Sequence, residues 1–353
     1  MQIESIPAEL RQAYGNRLAE LESLHKNLEK LVGSRRKQKT SENYQKDFEQ
    51  FEKFCERFSV AALPATPATV AYYIAYLANS PQENNGKPYK LASIRKKLTA
   101  ITDTHTRHNH KNPVKSPLAE AALKGLSKTK GFSARQPEPL MVDEARRIVD
   151  GMGGAAREIR DKALILVGIA AMLRESELVN LKVEHLKFKH DRLIIHIPES
   201  KTDQAGEGDN VAIKRFVDER DQGSPSIYCP VQALENWLAY AGIDSGYVFR
   251  QVAKGGKIKS KHRGKAPELS LRAIDGIVAH YAKRHHLGAG YSGHSLRSGG
   301  ATSAYAAGAT EIEIMHQGRW KTLQTVKDRY IKKAKAYGKR NASARMGFGV
   351  PVS

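Results

Sequence analysis

Along the first 130 residues the apolar positions recur at threes and fours, the period of helices packed by one face. Leu21, Leu24, Leu28 and Leu31 form a narrow seam and predict a helix over 7–32, packed on its own domain or against another subunit. A second helix, 41–58, carries Tyr44, Phe48, Phe51, Cys55 and Phe58 on one face. Leu63-Pro64-Ala65-Thr66-Pro67 reads as a turn and a helix start, with Thr66 as N-cap and Pro67 in the first turn. The helix that follows presents Val70, Tyr73, Ile74 and Leu77. A polar loop over 79–89 leads to helices at 90–109 and 117–129. Residues 1–131 thus form an all-helical module. The stretch 132–139, with two prolines, reads as a linker to a second domain over 140–353.

That second domain opens with helices at 142–151 and 157–173. Ala163 to Leu173 is nearly all apolar, so the second of these is buried and delivers Leu173-Arg174-Glu175-Ser176-Glu177 at its end. The period then changes to two. Leu193, Ile195 and Ile197 alternate with Ile194 and His196, and a polar turn from Glu199 to Asn210 leads back into Val211-Ala212-Ile213. This predicts a small antiparallel sheet, with Lys201 at the entry to its turn. Helices return at 230–242 and 269–286. The fold class is mainly α with a small antiparallel β-sheet, in two domains.

Charge narrows the partner. Lys+Arg number 58 against 37 Asp+Glu, a formal net charge of +21. Such an excess points to a polyanion, with nucleic acid ahead of a membrane surface. Arg35, Arg36, Lys37 and Lys39 make a basic hinge. Arg95, Lys96 and Arg107 lie on the helix 90–109. Lys254, Lys257, Lys259, Lys261, Arg263 and Lys265 stand in a Gly-rich segment without an acid, which reads as a mobile loop on backbone phosphates. The tail after residue 330 is equally basic and ends with Met346, Phe348, Val350 and Val352, either a subunit contact or a disordered end. No apolar run reaches the ~18 residues of a membrane span, and the start does not resemble a signal peptide. Cys55 and Cys229 form no CxxC pair, so a reducing cytoplasm fits. His105, His108 and His110 lack the ligands that would complete a zinc site and read as basic loop chemistry. Neither a metal nor a cofactor is expected.

The densest chemistry lies in 291–330. His294 and Arg297, three apart, share a helix face. Trp320 follows Gly318-Arg319, and Tyr330 sits in a basic run. A guanidinium fork can grip two phosphate oxygens, and a nearby tyrosine can attack the phosphorus without a metal.

Five stretches, in order, resemble the catalytic domain of the tyrosine recombinases, the phage integrase family. They are 170–181 (Ala-Ala-Met-Leu-Arg-Glu-Ser-Glu-Leu-Val-Asn-Leu), 199–202 (Glu-Ser-Lys-Thr), 292–297 (Ser-Gly-His-Ser-Leu-Arg), 313–320 (Glu-Ile-Met-His-Gln-Gly-Arg-Trp) and 328–331 (Asp-Arg-Tyr-Ile). Residues 63–73 resemble the family's core-binding domain, so the likeness covers most of the chain. It implies the tyrosine-recombinase catalytic fold and a two-domain, C-shaped clamp closing on duplex DNA. It implies Arg174 and Arg297 as the phosphate clamp, and Glu177 as the residue orienting Arg174 or a histidine. Lys201 would be the general acid, His294 the proton acceptor, Trp320 a phosphate donor and Tyr330 the nucleophile. His316 falls outside the motif's contact positions. The interval from Trp320 to Tyr330 is one residue longer than the family pattern, which leaves Tyr337 as a second candidate nucleophile. A homotetramer on two inverted-repeat sites is implied as well, in the cytoplasm and associated with the nucleoid. Two other readings of the same residues are a type IB topoisomerase and a DNA-binding protein that has lost catalysis.

Overall fold

In the computed structural model the described residues are 6–14, 17–34, 38–82, 86–130, 137–198, 208–218, 220–221, 223–260 and 267–331. The chain divides into two compact units, Met1–Arg135 and Gln136–Ser353.

The first unit is helical. The helix expected over 7–32 is two, α1 (Ala8–Tyr14) and α2 (Leu18–Ser34). On α2, Leu21 is buried whereas Leu24 and Leu28 are exposed. Next come α3 (Gln38–Arg57), α4 (Pro67–Asn79), α5 (Leu91–Arg107) and α6 (Pro117–Lys130). Phe51, Tyr73, Ile74, Leu77, Ile94 and Ile101 fill the core. The Phe51 and Phe54 rings each lie 5.0 Å from that of Tyr73. Phe58 is a correction: it lies past the end of α3, beside Ser59 at φ 52°, and is exposed, while Phe54 takes the buried place. Thr66 caps α4 as expected, its hydroxyl accepting from Thr69 N–H at 3.1 Å. His105 is a second correction. It is fully buried, not loop chemistry: its Nδ1 meets Ile101 O at 2.8 Å and its Nε2 accepts from Ala65 N–H at 2.8 Å.

The second unit is built around α8 (Ala156–Ala170), which follows α7 (Val142–Asp150) and is buried along its apolar run. It stops three residues earlier than its hydrophobicity suggests. Met172 turns left-handed at φ 48°, and the short α9 (Glu175–Val179) begins with Arg174 as its N-cap. Three antiparallel strands follow, β1 (Leu186–Phe188), β2 (Arg192–Ile197) and β3 (Asp209–Lys214), in the order β1-β2-β3. β1 is too short to carry a readable alternation. Leu193 pairs with Ile213 and Ile195 with Val211, so both strands turn the same apolar face inward. Then come α10 (Pro230–Ala241), α11 (Leu271–Arg284), α12 (His294–Ala306), α13 (Glu311–Gly318) and α14 (Leu323–Val326). A π-turn over Lys327–Ile331 ends the described chain. Trp237 anchors α10 by donating to Val248 O at 2.8 Å.

Residues 251–259 correct the expectation of a mobile loop in their half of the basic segment. They fold back as a tight hairpin, with Val252 bridging Ile258 and Lys259 N–H donating to Gln251 O at 2.9 Å. No described helix is long and apolar enough to cross a membrane.

Candidate active site

The site forms where three breaks in helical structure meet: the turn after α8, the start of α12, and the turn after α13. Arg174 caps α9, and Glu177 reaches back to it twice. Glu177 Oε2 accepts the Arg174 backbone N–H at 2.8 Å, and Oε1 accepts Arg174 Nη1 at 2.6 Å. The Arg174 side chain keeps 19% of its surface exposed, so it faces an opening and is not sealed in. Glu177 is buried, not the surface carboxylate its neighbours Glu175 and Ser176 would suggest. Burial alone would raise its pKa. The Arg319 charge, the Arg174 N–H and the Arg174 charge outweigh that and hold it below the usual carboxylate value.

Arg297 is on the same α12 face as His294, one turn on, and is only 2% exposed. Its Nη1 donates to Met172 O and its Nη2 to Gly318 O. One guanidinium therefore fastens the α8–α9 turn to the end of α13. Burial, then the nearby Arg174 charge, push its pKa down to about 10, so it stays charged at neutral pH. Its Cζ sits 4.3 Å from the centre of the Trp320 ring, a cation–π contact. Trp320 in turn packs on Tyr330, ring centres 4.8 Å apart.

Tyr330 is 3% exposed and belongs to a small cluster of its own with Met172, Ala301, Ile314, Val326 and Ile331. Its phenol is close enough to Arg297 to act on that residue's charge. It is carried by the π-turn, a rare geometry that recurs at functional positions. His294 opens α12, half-buried, and its backbone N–H lies near Ser292 Oγ at 3.2 Å.

Two glycines make the assembly sterically allowed. A Cβ on Gly299 would stand 1.8 Å from Leu140 O, so α12 could not lie against the segment that enters the unit. A Cβ on Gly318 would fall 1.7 Å from the Trp320 ring.

Arg174 is thus paired with Glu177, and Arg297, Trp320 and Tyr330 form a second line of contacts, with His294 one turn from Arg297. Lys201 and the second candidate nucleophile, Tyr337, lie outside the described residues, as do Arg35, Arg36, Lys37, Lys261 and Arg263. His316 is exposed on α13. Of the remaining basic residues, Lys254 and Lys257 are exposed and Lys259 is half-buried. Arg95 is exposed. Lys96 lies 3.4 Å from Asp47, and Arg107 pairs with Asp103 at 3.0 Å. Lys39 lies on α3. Arg319 is not marked as a site residue by the sequence pattern. It is buried, left-handed at φ 55°, and donates to Glu177 Oε2 at 2.6 Å. Its one sequence signal is a charge placed between a glycine and a tryptophan. Among the described residues no group of three or more His, Cys, Asp or Glu could hold a metal.

A helical unit with one small sheet thus brings a tyrosine against an indole that carries a guanidinium. Residues 138–336 match the model of the Phage integrase family. An integrase/recombinase xerD homolog of Selenomonas ruminantium is 31% identical over 318 residues, 87% of this chain and 85% of that one. The chain belongs to the phage integrase family. The recombinase cre of Escherichia phage P1 is more distant, 25% identical over 281 residues, 74% of this chain and 75% of that one. Among solved structures, XerH recombinase bound to a palindromic difH substrate covers 83% of this chain and 76% of its own, at TM-score 0.55 and 17% identity. A lambda integrase dimer on a core site covers 88% and 77%, at TM-score 0.52 and 16% identity. At those identities the likeness is one of fold.

Proposed function

We propose that this chain is a site-specific DNA recombinase that cuts and rejoins strands through Tyr330. The observation that carries the reading is the stack of Arg297, Trp320 and Tyr330 beside the Arg174–Glu177 pair. The Tyr330 phenolic oxygen attacks the phosphorus, His294 takes its proton, and the bond to the 5′-oxygen breaks. The leaving oxygen collects a proton from Lys201. Arg174 and Arg297 hold the charge that gathers on the non-bridging oxygens. Trp320 packs the pocket, and its indole N–H can donate to the same phosphate. The product is a 3′-phosphotyrosyl ester, and a free 5′-hydroxyl from a partner strand reverses the step. The ester conserves the phosphodiester bond energy, so religation needs no nucleotide.

The finer reading is a homotetramer joining two inverted-repeat sites in the cytoplasm, at the nucleoid. The domain over 1–131 and the catalytic domain over 140–353 would clamp the duplex together. Arg35, Arg36, Lys37, Lys39, Arg95, Lys96, Arg107, Lys254, Lys257, Lys259, Lys261 and Arg263 are proposed for its backbone. Incubation with a library of nicked duplex fragments, followed by sequencing of the covalently trapped DNA, tests the chemistry. Adducts form on the wild type in the presence of a chelator and vanish in Tyr330→Phe. Two copies of the trapped sequence then exchange strands. Relaxation of supercoils without exchange would favour the topoisomerase reading, and adducts persisting in Tyr330→Phe would move the nucleophile elsewhere.

A further inference from the structure

Glu177 is shared. Its Oε1 serves Arg174 Nη1 at 2.6 Å, whereas its Oε2 takes both the Arg174 backbone N–H at 2.8 Å and Arg319 Nη2 at 2.6 Å. Arg319 is itself buried, so it cannot meet DNA as an exposed cation would. Its other terminal nitrogen donates to Gln317 O at 3.2 Å and Ala171 O at 3.4 Å. The residue holds a left-handed backbone at φ 55°, ψ 48°, which a side chain adopts only against steric resistance. It stands between Gly318, whose carbonyl Arg297 grips, and Trp320, over which Arg297 lies.

The charges explain why an arginine is held there. Arg174, Arg297 and Arg319 carry three positive charges and Glu177 one negative, so the cluster has a net charge of 3 − 1 = +2. Without Arg319 the only cation directly paired with Glu177 is Arg174. A buried carboxylate draws hard on its single partner, so the guanidinium facing the opening would be spent on Glu177 and the cluster would fall to +1. With Arg319 in place, Glu177 can orient Arg174 while Arg174 keeps its charge for an incoming phosphate.

We propose that Arg319 is a positioning residue that compensates Glu177 and so leaves Arg174 free to bind the scissile phosphate. The inference rests on the Tyr330 recombinase reading and names a residue through which that same site is tuned. It also makes a distinction that simple packing does not. If Arg319 works through charge at the phosphate, its loss matters less when the phosphate carries less charge.

The test is single-turnover adduct formation on the trapped site, with the scissile phosphate either native or replaced by a neutral methylphosphonate. Arg319→Met keeps the packed stem and removes the charge, and Arg319→Lys keeps the charge. On native phosphate Arg319→Met slows the reaction by about tenfold or more, and Arg319→Lys stays within about threefold of wild type. On the methylphosphonate the Arg319→Met deficit shrinks to about threefold or less. Wild-type rates in Arg319→Met, or an equal deficit on both substrates, would overturn the proposal and leave Arg319 a packing residue. If Arg319→Met does not fold, the pair Arg319→Met with Glu177→Gln removes the stranded carboxylate. That pair should react like Glu177→Gln alone, and a further tenfold loss (on the order expected for a direct phosphate contact) overturns the proposal. A wild type that forms no adduct sinks the recombinase reading itself, whereas wild-type adducts with a flat Arg319 series sink only this inference.

Discussion

Arg297 does two jobs with one fork. It closes the α8–α9 turn onto the end of α13 through two carbonyls, and it presents a charge over Trp320. A lysine keeps the charge but cannot reach both carbonyls with a planar group. Arg297→Lys should therefore lose about 100-fold or more in single-turnover cleavage, with DNA affinity measured by gel shift nearly unchanged. His105 shows the opposite use of a titratable side chain. Its Nε2 accepts a hydrogen bond from Ala65, which only the neutral ring can do. Burial lowers its pKa, so the unfolded state binds the proton more readily than the folded one. The stabilisation is complete above the ordinary histidine pKa of about 6.5 and is lost as pH falls from there toward the depressed folded value. Urea midpoints at pH 7.5 and 5.0 should differ by more in wild type than in His105→Gln, with a limiting slope of about 1.4 kcal/mol per pH unit.

At the scale of elements, the positions of helix ends decide the chemistry. The apolar run through Leu173 reads as continuous helix, yet α8 ends at Ala170 because Met172 turns left-handed there. That turn frees the Met172 carbonyl for Arg297 and lets Arg174 begin a new helix. Nothing in the local hydrophobic pattern marks it, since Met172 and Leu173 are buried in either case. Glycines separate in the same way. Gly276, inside α11, has open space where a Cβ would go, whereas Gly299 in α12 would drive one into Leu140 O. Gly276→Ala should raise stability by up to about 1 kcal/mol. Gly299→Ala should lower it by about 3 kcal/mol or more, because backbone cannot rearrange as a side chain can. Thermal melting of the two variants beside wild type checks both signs.

For the whole molecule the controlling quantity is its net charge of +21. Affinity for duplex DNA should fall linearly in log–log plots against salt, with a slope of about −0.9 for each phosphate neutralised. Removing exposed Lys254 and Lys257 together should flatten that slope by up to about 2 while leaving the cleavage rate at saturating protein unchanged. A slope unaffected by the pair would place the segment off the DNA. Basic residues are not interchangeable in this respect: Arg107 is already paired with Asp103, and Lys96 is close to Asp47. Composition counts them equally with Lys254, and only their neighbours separate them.

Periodicity by itself determined where the main helices of the first unit lie and that a small antiparallel sheet interrupts the second, while the resemblance to the phage integrase family singled out the stretches proposed to carry the chemistry. Those features are local: spacing sets which face is apolar, and Thr66 or an alternating β-branched run acts on residues within a turn or two. Folding alone decided which polar groups share an environment. Glu177 and Arg319 are 142 positions apart, and Arg297 and Met172 are 125 apart, yet each pair is in direct contact. No local pattern encodes a partner at such distance. The second cation paired with Glu177 is Arg319, a residue that in the sequence is only one more arginine.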